Sequence, residues 1–227
     1  MLSRTLEPIP DDPVIDAESY AAIDHQAVNA DFVNDLLNRG DLGPRVLDLG
    51  CGPAAIAIEI CSRHVSVEVM AMDASQEMLD LARFEIEAAG LNDRITLIHD
   101  NAAEVDCVQD DLASTVISNT VLHHIPEPIG LVEVAIKACQ PGGQIFIRDL
   151  CRPETAEQVE SIVDSVTGLD SHCSVPGISP QQLLRQSLHA ALTLSEIRDL
   201  VDGLGIDPSS VQMTSNRHWT LATRLSN

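Results

Sequence analysis

Aromatic rings and cations are both scarce in this chain. One Trp, one Tyr and three Phe are all the rings among 227 residues, too few to build an aromatic cage around a quaternary ammonium. Thirteen Lys and Arg stand against 35 Asp and Glu, a net charge of −22. A surface of that sign repels phosphate backbones and anionic lipid, so neither nucleic acid nor membrane is an expected partner; the same excess also serves plain solubility. No apolar run reaches a membrane-spanning length, and the start M-L-S-R-T-L-E-P-I-P lacks the apolar core of a signal peptide. A cytoplasmic protein is the expectation. The six cysteines are scattered singly with no Cys-x-x-Cys spacing. They read as small core residues of a reducing compartment, not as a disulfide or zinc framework. With 44% hydrophobic residues the chain can bury a full core as one domain.

What is present begins with Arg45 to Ala54, R-V-L-D-L-G-C-G-P-A. Val46, Leu47 and Leu49 read as a buried strand running into Gly50-Cys51-Gly52, where glycines permit a sharp turn and let a ligand approach bare backbone. Pro53 suits the first position of a following helix, whose free amides would face whatever lies over the turn. Asp48 is the unusual residue. A carboxylate at the strand exit opposes a diphosphate, whereas a ligand carrying an ammonium and a sulfonium accepts it. The pattern points to S-adenosylmethionine and away from a dinucleotide.

The next strand, Val65 to Met72, ends in Asp73, 21 positions past Gly52, the separation at which an acid meets a ribose diol in nucleotide folds. Ser75 caps a helix with Met78, Leu79, Ala82, Ile86 and Ala89 on its buried side and Gly90 at its end. A third strand, Ile95 to Ile98, exits into His99-Asp100-Asn101-Ala102. Asp100 there either accepts from an adenine amino group or serves as a turn residue, and the two preceding strand tips favour adenine. Ser114 to Ser118 forms a fourth strand and leads into Asn119-Thr120-Val121-Leu122-His123-His124-Ile125-Pro126. Neighbours in such a turn point in different directions, so His123 and His124 are not expected to share a metal, and no metal site is expected. One is expected to line a pocket while the other packs. Pro141-Gly142-Gly143 reads as a tight turn into a fifth strand, Gln144 to Asp149. Five strands alternating with helices describe a parallel sheet covered on both faces, with ligands at the strands' carboxyl ends. Asp48, Asp73, Asp100, Asn119 and Asp149 all fall on that edge.

The flanks are less explicit. Residues 1 to about 15 are rich in Pro and Asp and are expected to be extended or mobile. A helix is expected from Asp24, its cap, to Leu37, ended by Gly40, with Tyr20 and His25 at its entry. Cys151 to Leu192 breaks the alternation with two helical runs, Pro153 to Val166 and Ser179 to Leu192, and is a candidate substrate cover. Thr193 with Glu196 makes a capping box, and Val211 to Thr214 and His218 to Leu225 read as a closing hairpin. The chain is thus read as a single domain over 1–227. It comprises an N-terminal helical segment (1–40), a cofactor-binding core (41–150), a helical insertion (151–192) and a final helix with hairpin (193–227).

At these residues the chain resembles the class I S-adenosylmethionine-dependent methyltransferases, in the small-molecule branch that holds the ubiquinone/menaquinone methyltransferase-like proteins. The matching runs are V-L-D-L-G-C-G-P-A (46–54), M-D-A-S-Q-E-M-L (72–79), H-D-N-A (99–102), S-N-T-V-L-H-H-I-P (118–126) and L-x5-A-C-Q-P-G-G (131–143). The resemblance implies a doubly wound α/β fold with a seven-stranded, mostly parallel sheet, helices on both faces and an antiparallel C-terminal strand. It also implies the methionine part of the cofactor over Asp48, Gly50, Cys51 and Gly52, and the ribose on Asp73. Adenine would lie between Ala74 or Met78 and Asp100, Asn101 and Ala102, with Asn119 bordering the methyl. The fourth strand's loop lacks the Asn-Pro-Pro-Tyr pattern of amino-methylating enzymes acting on DNA and glutamine.

Methyl transfer from a sulfonium needs nucleophile, carbon and sulfur held in line, a proximity effect worth up to roughly 7–11 kcal/mol. A general base adds about 10²–10⁴-fold where the nucleophile must shed a proton. His124, His123 and His25 are the candidates, with Asp149 orienting or accepting. Two other readings remain: a non-catalytic S-adenosylmethionine-binding sensor or partner subunit, and an NAD-dependent oxidoreductase, since Gly50-x-Gly52-x-x-Ala55 also fits the dinucleotide pattern. Asp48, Asp100 and the terminal hairpin count against the last. The methyl acceptor and the oligomeric state are not read from the sequence.

Overall fold

The computed structural model describes residues 2–8, 14, 25–166 and 179–226. Strands β1 (Arg45–Leu49), β2 (Glu68–Asp73), β3 (Ile95–His99), β4 (Ala113–Asn119), β5 (Cys139–Leu150), β6 (Val211–Met213) and β7 (His218–Arg224) form one seven-stranded sheet. Their order is β3-β2-β1-β4-β5-β7-β6. The first five run parallel, and β7 is antiparallel to both β5 and β6. That is the doubly wound arrangement the sequence implies. Its strand order reverses at β1/β4, where ligands bind in open α/β sheets.

The alternation of side chains assigns each strand's residues to two apolar layers. Leu47, Leu49, Val116, Ile145, Ile147 and Trp219 belong to one layer, completed by α4 (Ile129–Ala138) and α7 (Leu194–Gly203). Val46, Val69, Ala71, Ile117 and Phe146 belong to the other, completed by α1 (Gln26–Leu37), α2 (Ala55–Arg63) and α3 (Gln76–Ala89). In that second layer Phe32 and Phe146 meet edge to face at 5.0 Å, with the Arg148 guanidinium 5.5 Å from the Phe32 ring. Arg148 also pairs with Asp35 of α1. Phe32, Phe146 and Trp219 thus serve the core, while Phe84 is exposed. A third, small cluster (Leu150, Val159, Val163, Leu188 and Ala191) joins the insertion's helices α5 (Ala156–Ser165) and α6 (Pro180–Ala190).

Several expected boundaries move. Pro53 is not the first helical residue: Ala54 takes φ +62° as N-cap and α2 begins at Ala55, so the glycine turn is two residues longer than the proline suggests. β2 starts at Glu68, leaving Val65 exposed, and Ala89 is exposed too. Pro141-Gly142-Gly143 does not precede β5 but lies inside it. Cys139 already pairs with Ala113, and the register shifts before Gln144 meets Thr115, with Gly142 at φ +73°. Leu2 to Pro8 are docked, not mobile: the Leu2 amide donates to the Glu154 carbonyl and the Thr5 amide to that of His189. Ser75 caps α3, and Thr193 with Glu196 closes the reciprocal box on α7. Asp24, Tyr20, Cys173 and the Pro/Gly-containing stretch before Ser179 lie outside the described residues.

Candidate cofactor and acceptor site

β1 carries Asp48 to the sheet edge just ahead of Gly50, which turns at φ +76°. The Gly50 and Cys51 amides both donate to the Met72 carbonyl, at 2.8 and 2.9 Å, so the turn is tied to the tip of β2. Asp73 accepts there from the Gly52 amide at 2.8 Å and from the Ser75 amide at 2.9 Å. A Cβ on Gly50 would stand 2.4 Å from Cγ2 of Val121. The chain leaving β4 therefore lies directly against the glycine turn, and only glycine fits beneath it.

Asp48 is 2% exposed and its Oδ2 has no hydrogen-bond partner among the described residues. Burial, reinforced by the Asp73 charge, pushes its carboxyl up to about 7. Asn119 Oδ1 is a second buried acceptor in the same condition. A buried polar atom left unpaired costs free energy, and a ligand bringing donors and positive charge satisfies both. The ammonium of S-adenosylmethionine has that chemistry, so these residues fit the cofactor. Burial also drives the Cys51 thiol far above its ordinary range; Cys51 offers the site its backbone, not a thiolate.

On the side where ribose and adenine are expected, the β3 exit folds against β2. The Asp100 amide donates to the Asp73 carbonyl, and a ring nitrogen of His99 lies 3.0 Å from the Ala74 carbonyl oxygen. Ala74 and Asp100 are exposed, Met78 is half-buried and Ala102 is buried. Asp100 accepts from the Asn101 amide, and the Asn101 side chain from that of Ala103. The turn duties weighed from the sequence are thus present at the same edge as Asp73.

The other half of the edge is built differently. Asp149, at the end of β5 and 1% exposed, accepts from Nδ1 of His123 at 2.6 Å, from the His123 amide at 3.2 Å and from the Leu150 amide at 2.6 Å. Burial alone would raise its carboxyl, but the charge and hydrogen bond of His123 hold it below the ordinary value. An ionised carboxylate only accepts, so the His123 Nδ1 is the donor of this bond and Nε2 is the ring nitrogen turned away from Asp149. That Nε2 lies 3.9 Å from Oε1 of Glu7, and Nδ1 of His124 lies 2.7 Å from Oε2 of the same carboxylate. Burial opposes ionisation of Glu7, yet the hydrogen bond and charge of His124, with His123 behind it, bring its carboxyl down to about 2.

Here the expectation that the two histidines diverge is overturned. His123 and His124 sit in one 3₁₀ turn, Leu122–His124, with ring centroids 4.1 Å apart, because a carboxylate from another part of the chain draws both toward it. His123 is buried and His124 exposed. His25 stands apart, as the N-cap residue of α1.

Glu7 was not legible as a site residue; nothing near it in sequence marks it. It arrives on a strap that crosses the edge. The Arg4 guanidinium donates to the carbonyls of Ala190 (2.7 Å), Ile125 (2.8 Å) and Pro126 (3.0 Å). Ser187 Oγ donates to Glu7 Oε1 at 2.5 Å. The insertion is pinned beside it: Cys151 bridges Leu192, and the Arg152 guanidinium reaches the Leu2 and Ala191 carbonyls and Glu196. A groove of about 500 Å³, lined by Arg152, Glu154, Gln158 and Ser195 among others, opens between the insertion and the hairpin, away from the glycine turn.

Residues 41–191 match the family model described as "Methyltransferase domain". The chain is 25% identical over 165 residues to a ubiquinone biosynthesis O-methyltransferase of Xanthomonas euvesicatoria, covering 70% of this chain and 66% of that protein. It is 27% identical over 162 residues to the Vibrio cholerae protein of the same name, covering 67% and 62%. The match thus spans just under two thirds of these relatives' length. Among solved structures, a SAM-dependent methyltransferase from Aquifex aeolicus superposes with a TM-score of 0.65 at 16% identity, covering 95% of this chain and all of that one. A plantazolicin methyltransferase, solved with a pentazolic desmethylPZN analog and SAH, gives 0.55 at 19%, covering 85% and 63%. With the glycine turn, its unpaired acid and the reversed hairpin in place, the chain belongs to the class I S-adenosylmethionine-dependent methyltransferases.

Proposed function

We propose that this protein transfers a methyl group from S-adenosylmethionine to a hydroxyl oxygen of a small molecule. The observation that carries the proposal is the His123–Asp149 pair, set beside Val121, the residue that lies on the glycine turn. S-adenosylmethionine, when bound, supplies an electrophilic methyl on a sulfonium leaving group. The chain's task is to place an acceptor in line with it. Asp48, Gly50, Cys51 and Gly52 would hold the methionine part, and Asp73 the ribose. Ala74, Met78 and Asp100 to Ala102 would hold the adenine, with Asn119 at the methyl.

His123 Nε2 would take the acceptor's proton while Asp149 keeps the ring in the right tautomer and stabilises the imidazolium. Oxygen acceptors need such a base, and the curated relatives are O-methyltransferases by name. The strap and residues 151–166 and 179–192 would cover the acceptor and exclude water. The negative surface favours a small molecule over nucleic acid.

The test is methyl transfer measured by mass spectrometry over a panel of small phenols and catechols, with RNA and protein as controls. Product is expected with a phenolic acceptor and is expected to be lost in His123→Ala. Cofactor binding with no product on any acceptor would favour the non-catalytic sensor reading. Calorimetric binding of NAD in place of S-adenosylmethionine would favour an oxidoreductase.

A further inference from the structure

The cluster at the strap has more in it than a base needs. Glu7, His123 and His124 each offer one ligand atom, all within 4.8 Å of one another. His123 donates its other ring nitrogen to buried Asp149, the outer-shell carboxylate that orients metal-binding imidazoles. We propose that Glu7, His123 and His124 bind a divalent transition-metal ion of the zinc and cobalt class, leaving a coordination position open toward the acceptor.

The donor set argues for that class. Two imidazoles and a carboxylate suit zinc, cobalt or ferrous iron, whereas magnesium and calcium prefer oxygen alone. Three protein ligands with an open fourth position are the mark of a reactive zinc site, not a structural one. The ligand atoms must draw together, since donors about 2.0–2.2 Å from one ion stand roughly 3.4 Å apart in a tetrahedron. The exposed His124 ring and the half-buried Glu7 side chain must move to do so, while His123 is held by Asp149. Electrostatics permit it: Glu7 and Asp149 bring two negative charges, Arg4 one positive, and Arg152 is already paired with Glu196.

The site rests on the reading of this corner as the acceptor site and deepens it: with the ion in place His123 Nε2 is a ligand and not the base, and a metal-bound acceptor oxygen, made more acidic by the cation, gives its proton to solvent. A cation there polarises an oxygen that coordinates it, so the acceptor class narrows to molecules with an oxygen donor able to ligate metal. The ion would also tie the strap to the sheet edge, because Glu7 is the ligand that comes from residues 2–8.

The test is a titration of chelator-stripped protein with Co²⁺, followed by its visible ligand-field bands, and with Zn²⁺ by calorimetry. One equivalent is expected to bind per chain. Glu7→Gln and His124→Ala are each expected to weaken binding at least about tenfold, and Asp149→Asn about 10–100-fold, with circular dichroism confirming that each variant folds. Absence of stoichiometric binding, or binding indifferent to both Glu7→Gln and His124→Ala, overturns the site. The two readings fail separately. Turnover by stripped protein that shows no cobalt bands refutes the cation site and leaves methyl transfer standing. Cobalt bound at one equivalent, with no methyl transfer to any acceptor, supports the site and refutes the acceptor reading.

Discussion

The two halves of the sheet edge are made by different means. On the β1–β2 side the hydrogen bonds of the glycine turn are short-range in sequence: Gly52 reaches Asp73, 21 residues on, and Ser75 caps the helix it begins. On the β4–β5 side the reach is longer. Glu7 meets Ser187 across 180 residues and Arg4 meets Ala190 across 186. The first half is a cradle whose parts come in one continuous run of chain. The second is a corner assembled from the strap, the turn after β4, the end of β5 and the insertion. Donor binding is therefore expected to survive damage to the corner, while acceptor chemistry depends on the whole fold having closed.

The largest effect is expected from Gly50→Val. The added side chain collides with Val121 from a backbone at φ +76°, an overpacking cost of about 1–3 kcal/mol on top of about 1–2 kcal/mol for the left-handed backbone. Urea unfolding would register that loss, and calorimetry would find S-adenosylmethionine binding abolished. Wild-type affinity in this variant would break the placement of the cradle. Next comes Asp149→Asn, expected to lower kcat about 10²–10⁴-fold with donor affinity unchanged. A change confined to donor affinity would mean that the corner is not separate from the cradle.

A third effect is the pH dependence of donor binding. Asp48 is raised from an ordinary 3.8 to about 7. A cationic ligand favours its ionised form, so binding must expel a proton below that pH. Affinity should be level above about pH 7 and fall roughly tenfold per unit below it, and Asp48→Asn should flatten the profile. The free protein follows the opposite sense. Its fold keeps a proton on Asp48 that the unfolded chain has lost, so this group's contribution to stability declines as pH rises from 3.8 to about 7.

Arg4→Ala removes a guanidinium shared among several carbonyls. It is expected to cost about 1–3 kcal/mol, seen as faster hydrogen exchange over residues 2–8 with donor binding untouched. The smallest effect is Ser75→Ala, which loses the cap on α3 and should cost about 1 kcal/mol in thermal unfolding.

The same contrast explains what the sequence reveals. Asp48, the two glycines, Asp73 and the Ser75 cap are readable because strand, turn and helix signals stand next to one another, and residues so close in the chain have little freedom in where they meet. The hairpin is readable for the same reason. Asp149 is readable as a strand tip, but its partnership with His123 is not, because it depends on β4 and β5 lying side by side. Glu7 is unreadable: its neighbours are Leu6 and Pro8, and its role is set by contacts more than a hundred residues away. The paired histidines are misjudged for that reason as well, since their common direction comes from a carboxylate no local pattern announces.

One residue offers a way to watch that corner directly. Trp219 is the sole tryptophan of the chain, fully buried on β7 and in register with Asp149 on β5. Its fluorescence is therefore an intrinsic, label-free signal from a known address: one emitter, on the strand beside Asp149, the acid that holds His123. An emission change on adding an acceptor analogue, timed in a stopped-flow instrument against the same addition of donor, would give the order in which the two ligands arrive.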